Sequence, residues 1–181
     1  MSKIKTVGIV GTGVIGTGWI IRNLAHNKIV HAYDQNKNLK SYVLKEIKRT
    51  SKSIKKLFGK KILIKNLKFF NSLEKALVNV DFVQESVLEN YKVKTDLIHK
   101  ISKYVKSDII ISSSSSGLLP SKIFSKSKNP QRGIIGHPFN PAYLLPAVEI
   151  VPGKKTKKKF LLDANKSVSY THLTLPTMMS V

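Results

Sequence analysis

Three groups of residues in this sequence have types and spacings that could do chemistry. The first is Gly11-Thr12-Gly13-Val14-Ile15-Gly16, a G-x-G-x-x-G hexapeptide. Glycines at those places let a chain turn tightly, approach a pyrophosphate with its backbone, and pack a helix closely against a strand. The hexapeptide alone is weak evidence, because glycine turns are common. Its context strengthens it: "KTVGIV" (5–10) precedes it as a buried strand, and a helical pattern follows it to residue 27. Asp34 then ends the strand-like "KIVHAYD" (28–34), 23 residues after Gly11. An acid there hydrogen-bonds ribose hydroxyls and repels a 2′-phosphate, which favours NAD over NADP. The helix N-terminus adds free N–H groups and the positive end of a dipole for phosphates.

The second group is the serine run Ser112–Ser116, which follows the strand-like "DIII" (108–111). A disordered linker would not start from a buried isoleucine strand and end in Gly-Leu-Leu-Pro. The third is His137, at the end of "RGIIGH" (132–137), with Glu149 twelve residues on in "AVEIV" (147–151). A histidine with a carboxylate partner is a ready general base, because the acid selects the ring tautomer and stabilises imidazolium. A lone histidine at a strand end is more often structural, and spacing alone leaves the pairing open.

These groups need a scaffold, and the remaining sequence describes one. Helical patterns cover 39–58, as one helix or a pair, and 90–105, with Val93, Leu97, Ile101 and Val105 on one stripe. "SLEKAL" (72–77) is a short helix with Ser72 as its cap, and 156–166 is a helix start with Thr156 as its cap. "LKFF" (67–70) and "DFVQES" (81–86) are further strands. Strands alternating with helices predict an α/β fold, doubly wound on a mostly parallel sheet. Ligands bind such sheets at the carboxyl ends of the strands, where the glycine turn, the serines and His137 all fall.

Composition narrows the function classes. The chain has 181 residues with 41% apolar content, enough for one core. It has no cysteine, and its five histidines show no metal-ligand spacing, so no metal is expected. No apolar run reaches the roughly 18 residues of a membrane span, and the cytoplasm is the expected compartment. The net charge of +22 invites a nucleic-acid reading. However, 29 of the 32 basic residues are lysine, isoleucine is abundant (19) and alanine scarce (6), the pattern of an AT-rich gene. The lysines are scattered and no aromatic residues interleave with them, so no specific nucleic-acid partner is expected.

From about residue 5 to 166 the chain resembles the 3-hydroxyacyl-CoA dehydrogenase family. The likeness rests on the glycine fingerprint, "QESVLENYKVK" (84–94), the serine stretch, "GHPFNP" (136–141) and "VEIV" (148–151). It implies a Rossmann-type fold and NAD-dependent oxidation of a 3-hydroxy substrate. L-Carnitine, giving 3-dehydrocarnitine, is the first candidate, with gulonate or a 3-hydroxyacyl-CoA as alternatives. The resemblance makes His137 the general base, Glu149 its orienting acid and Ser116 a hydrogen-bond partner of the reacting oxygen. Gly11, Gly13, Val14, Ile15, Gly16 and Asp34 would hold NAD, Asn140 would position nicotinamide and substrate, and Glu89 and Lys94 would sit near the cofactor.

The chain also departs from the family pattern. CoA-specific members read His-Phe-Phe-Asn-Pro where this chain reads His-Pro-Phe-Asn-Pro, which weakens an acyl-CoA substrate. Lys52, Lys55 and Lys56 could still attract CoA phosphates. The family continues into a helical domain that completes the pocket, forms a homodimer and adds a catalytic asparagine. That domain is expected to be absent here. Residues 1–166 are expected to form the NAD-binding domain. Residues 167–181, uncharged and resembling translated adapter DNA, are expected to be a non-native, poorly packed tail on a truncated chain. A non-enzymatic, crystallin-like NAD-binding protein on the same scaffold is the alternative, since fold does not fix function.

Overall fold

The computed structural model describes residues 4–145, 147–169 and 173–176; beyond residue 166, in 167–169 and 173–176, only the backbone path is described. Eight strands form one sheet: β1 (Thr6–Val10), β2 (Ile29–Tyr33), β3 (Leu67–Phe70), β4 (Phe82–Glu85), β5 (Ile110–Ser113), β6 (Gly133–Pro138), β7 (Ala147–Pro152) and β8 (Leu173–Pro176). Their order across the sheet is β3-β2-β1-β4-β5-β6-β7-β8, and among the described residues only the β6–β7 pair is antiparallel. The order reverses between β1 and β4. That switch point opens a crevice at the carboxyl edge.

Apolar side chains on alternate strand positions feed two cores, one on each face. Ile9, Val30, Val148 and Ile150 meet Ile20, Ile21 and Leu24 of α1 (Val14–Ala25) and Val43, Ile47 and Ile54 of α2 (Leu39–Phe58). On the other face Val10, Val83, Ile111 and Ile135 meet Leu77 of α3 (Leu73–Leu77), Ile98 and Ile101 of α4 (Tyr91–Tyr104) and Ile123 of α5 (Pro120–Ile123). The 39–58 segment is a single helix. It ends at Gly59, whose φ of +65° is a left-handed cap that glycine adopts without strain.

Four local expectations meet the structure differently. Ser72 does cap α3, its hydroxyl accepting from the Lys75 N–H at 3.4 Å. Thr156 does not cap α6 (Lys158–Ser169), which starts two residues later. Its hydroxyl instead donates to the Gly133 carbonyl (2.7 Å) and accepts from the Gly153 N–H (2.8 Å), tying the turn after β7 to β6. The predicted stripe on α4 is rotated: Lys94, Ile98 and Ile101 are buried, while Val93 is exposed. The inward pull on Lys94 is electrostatic, described below. Finally, α6 runs to Ser169 and residues 173–176 pair in parallel with β7, while His172 and the remainder of the tail lie outside the described residues.

Arg132, fully buried before β6, donates to the carbonyls of Lys106 and Ser102 and so fastens β6 to the end of α4. Burial lowers its pKa to about 10, against an opposing pull from Asp108, and it remains a cation at neutral pH. Among the described residues no helix is long and apolar enough to cross a membrane.

Candidate functional site

At the switch point the glycine turn is shaped by contacts that exclude side chains. Gly11 has φ +90°, and a Cβ there would stand 2.7 Å from the Ser86 carbonyl. A Cβ on Gly16 would overlap the Gly11 carbonyl oxygen. Gly13 differs: a Cβ there would meet nothing within 4 Å, because this glycine borders the open crevice. Gly13 is also the N-cap of α1, and no side chain caps that helix. Its first-turn N–H groups have no partner within the helix and are available to an anion. Val14 is exposed, and Ile15 packs its side chain against the first core.

Asp34 lies across this turn at the end of β2. Its Oδ2 accepts from the Thr12 N–H at 2.6 Å and the Thr12 hydroxyl at 3.2 Å, and its Oδ1 accepts from the Asn36 N–H at 2.9 Å. Three donors therefore fix the carboxylate at the rim of a cavity of about 540 Å³, which Gly11, Gly13, Gln35, Ser86 and Val87 help to line. The volume suits a ligand of cofactor size. Backbone room, uncapped helix amides and an oriented acid together fit a dinucleotide.

The serine run leaves β5 and divides by role. Ser112 and Ser113 are buried, and Ser113 donates to Glu85 at 2.5 Å. Ser114 meets Trp19, Gln84 and Ser86. Ser115 donates to Glu89 at 2.5 Å and accepts from the Leu118 N–H. Only Ser116 turns its side chain to solvent. Glu89 clamps the loop: one oxygen accepts from the Ser115 hydroxyl, the Ser116 N–H (2.9 Å) and the Gly117 N–H (3.2 Å). Partial burial pushes the Glu89 pKa up, but the Ser115 hydroxyl, the Gly117 N–H, Lys94 and the Ser116 N–H outweigh it and hold the pKa low.

Lys94 sits beneath this clamp, its side chain 1% exposed. Its ammonium contacts both Glu85 oxygens (2.8 and 3.1 Å), the Val87 carbonyl (3.1 Å) and, at 3.5 Å, Glu89. A buried ammonium needs such partners, and removing one from a buried pair typically costs about 3–5 kcal/mol. This explains the rotation of α4. It also places Lys94 under the crevice floor, where it braces the loops around the crevice.

His137 and Glu149 are directly opposite residues of the antiparallel β6–β7 ladder. The His137 Nδ1 to Glu149 Oε2 distance is 3.8 Å, within ion-pair range and longer than a hydrogen bond. Asn140 follows β6, exposed, ahead of a cis bond to Pro141. Among the described residues no three histidine, aspartate or glutamate side chains gather as metal ligands. The residues that sequence reasoning passed over are Ser86, Gln84 and Trp19. Nothing in their spacing announces that three separated positions converge on Ser114.

The comparisons agree with this geometry. Residues 6–171 match the family model described as "3-hydroxyacyl-CoA dehydrogenase, NAD binding domain". The chain is 41% identical over 174 residues to an L-carnitine dehydrogenase of Pseudomonas putida, covering 96% of this chain and 54% of the relative. It is 39% identical over 177 residues to that of Oceanobacillus iheyensis, covering 97% and 57%. It thus spans about half the length of these relatives. Its fold matches a diketoreductase structure with a TM-score of 0.91 at 21% identity, covering 100% of this chain and 66% of that one. It also matches 3-hydroxybutyryl-CoA dehydrogenase from Escherichia coli with a TM-score of 0.87 at 22% identity, covering 96% and 38%. The chain therefore belongs to the NAD-binding domain family of 3-hydroxyacyl-CoA dehydrogenases.

Proposed function

We propose that this chain supplies the cofactor half and the general base of a dehydrogenase that oxidises a 3-hydroxy substrate, L-carnitine before gulonate or 3-hydroxybutyryl-CoA. The observation that carries the proposal is the cross-strand His137–Glu149 pair at the carboxyl edge of β6. Glu149 faces Nδ1, so the neutral ring places its proton there and leaves the Nε2 lone pair for a substrate hydroxyl. His137 then takes the hydroxyl proton as the alcohol becomes a ketone, and Glu149 stabilises the resulting imidazolium. Gly11, Gly13 and Asp34 would hold NAD at the glycine turn, where it would supply the hydride acceptor. Ser116, with its side chain exposed and its backbone held by Glu89, donates to the substrate oxygen. Asn140 positions the substrate against the cofactor, and the full-length protein works as a homodimer.

The test joins this chain to the C-terminal region of the Pseudomonas putida relative and follows NADH formation. Turnover of L-carnitine above gulonate and 3-hydroxybutyryl-CoA is expected. A preference for either other substrate moves the specificity assignment. Failure with all three, by a folded protein that binds NAD, removes the catalytic proposal.

A further inference from the structure

Ser86 follows β4 at the wall of the crevice and has no role in the account above. Its surroundings determine where its proton goes. Ser114 Oγ is within hydrogen-bond distance of three atoms: Trp19 Nε1 at 3.2 Å, Gln84 Nε2 at 2.7 Å and Ser86 Oγ at 2.8 Å. An indole N–H can only donate. Gln84 Nε2 also lies 3.2 Å from the Gly136 carbonyl. Flipping that amide would set oxygen against oxygen, so Nε2 is the donor in both contacts. A hydroxyl oxygen has two lone pairs, and Trp19 and Gln84 occupy both on Ser114. Ser114 must therefore donate its own proton to Ser86. Ser86 accepts there, and its own O–H remains unspent.

That O–H cannot turn back, because its only hydrogen-bond neighbour among the described residues is already a donor toward it. The residue itself is held: its N–H donates to the Val10 carbonyl at 2.8 Å, and its carbonyl abuts Gly11. It shares the cavity wall with Gly11 and Gly13. We propose that Ser86 is a further cofactor-binding residue, whose hydroxyl proton the Trp19–Gln84–Ser114 cluster directs into the crevice toward an oxygen of the dinucleotide's pyrophosphate or the ribose beyond it. The inference deepens the assignment of this crevice to NAD and depends on it.

Calorimetric titration of the whole chain separates the two. Wild-type protein that binds no NAD defeats the crevice assignment itself. Given wild-type binding, Ser86→Ala should weaken NAD and ADP-ribose about tenfold, the worth of a hydrogen bond to a charged oxygen. It should leave adenosine, which has no phosphate, unchanged. Trp19→Phe frees a lone pair on Ser114, lets the serine pair reverse, and should weaken NAD by a smaller factor. In the Ser86→Ala background Trp19→Phe should add nothing, because the two act through one proton. Unchanged NAD affinity in Ser86→Ala, an equal loss for adenosine, or losses that multiply in the double variant would overturn the proposal. Should Trp19→Phe lose its fold by circular dichroism, Gln84→Met removes the other donor and makes the same test.

Discussion

At the ends of β1, β2 and β4 the chain builds its site from backbone. The glycine turn folds against Ser86, Asp34 is locked by Thr12 and Asn36, and the helix amides are left uncapped. At the ends of β5, β6 and β7 it builds from side chains that face outward. Ser116 and Asn140 are exposed, and the His137 and Glu149 side chains are 31% and 41% accessible. The first region holds its shape through main-chain contacts. The second depends on how strand register aligns groups from separate segments. Glu89, Lys94 and the inner serines lie between them and hold the two at a set distance.

If the two regions divide binding from chemistry, variants should divide the same way. The largest effect is expected for His137→Ala in the joined enzyme. Turnover should fall by about 10²–10⁴-fold, the worth of a general base, while NAD affinity stays near wild type. A variant that keeps its turnover breaks the division. Next come two glycines of one turn. Gly16→Ala forces a backbone shift and should destabilise the chain by about 3 kcal/mol, a fall in Tm of roughly 10 °C. Gly13→Ala should keep its Tm within a few degrees and still lose NAD, because its methyl fills only the crevice. Thermal melts paired with NAD titration show whether these effects separate.

A smaller effect is expected at Asp34. Asp34→Ala should narrow the preference for NAD over NADP by about tenfold, in line with one hydrogen bond from a charged group. Equal ratios in wild type and variant would show that this acid serves only the turn. The smallest effect is a pH dependence. The Glu89 pKa is lowered in the folded chain, so its contribution to stability is present above the ordinary glutamate value of about 4.3 and is lost as pH falls through the lowered value. The protection of the Ser116 and Gly117 amides, taken relative to their intrinsic exchange rates, should therefore fall on acidification. In Glu89→Gln that acid-dependent step should vanish, and parallel profiles would mean the clamp is not electrostatic.

The cofactor region was legible in the sequence because each of its parts is local. Gly11, Gly13, Gly16 and Asp34 lie within 24 residues, and each is explained by the turn or strand it occupies. The His137–Glu149 pair was legible as two residues but not as a contact. Antiparallel pairing set their register, and a one-residue slip would have turned one of them to the other face. Lys94 misled the helix pattern because a charged residue reads as outward-facing unless its buried partners are known. Its partner Glu85 ends β4, and Glu85 in turn accepts from Ser113 of β5. Thr156 looked like a cap because threonine before a helix usually is one, whereas here the Gly133 carbonyl claimed its hydroxyl.

The clash that a side chain at Gly16 would make has a consequence at the level of the gene. Every coding change away from glycine adds a Cβ, so no missense mutation at this codon avoids the Gly11 carbonyl. At Gly13 the added Cβ meets nothing within 4 Å. Lesions at the first codon should therefore surface as lost protein. Lesions at the second should surface as protein present in full amount but empty of cofactor, a difference visible in a cell lysate before any enzyme is purified.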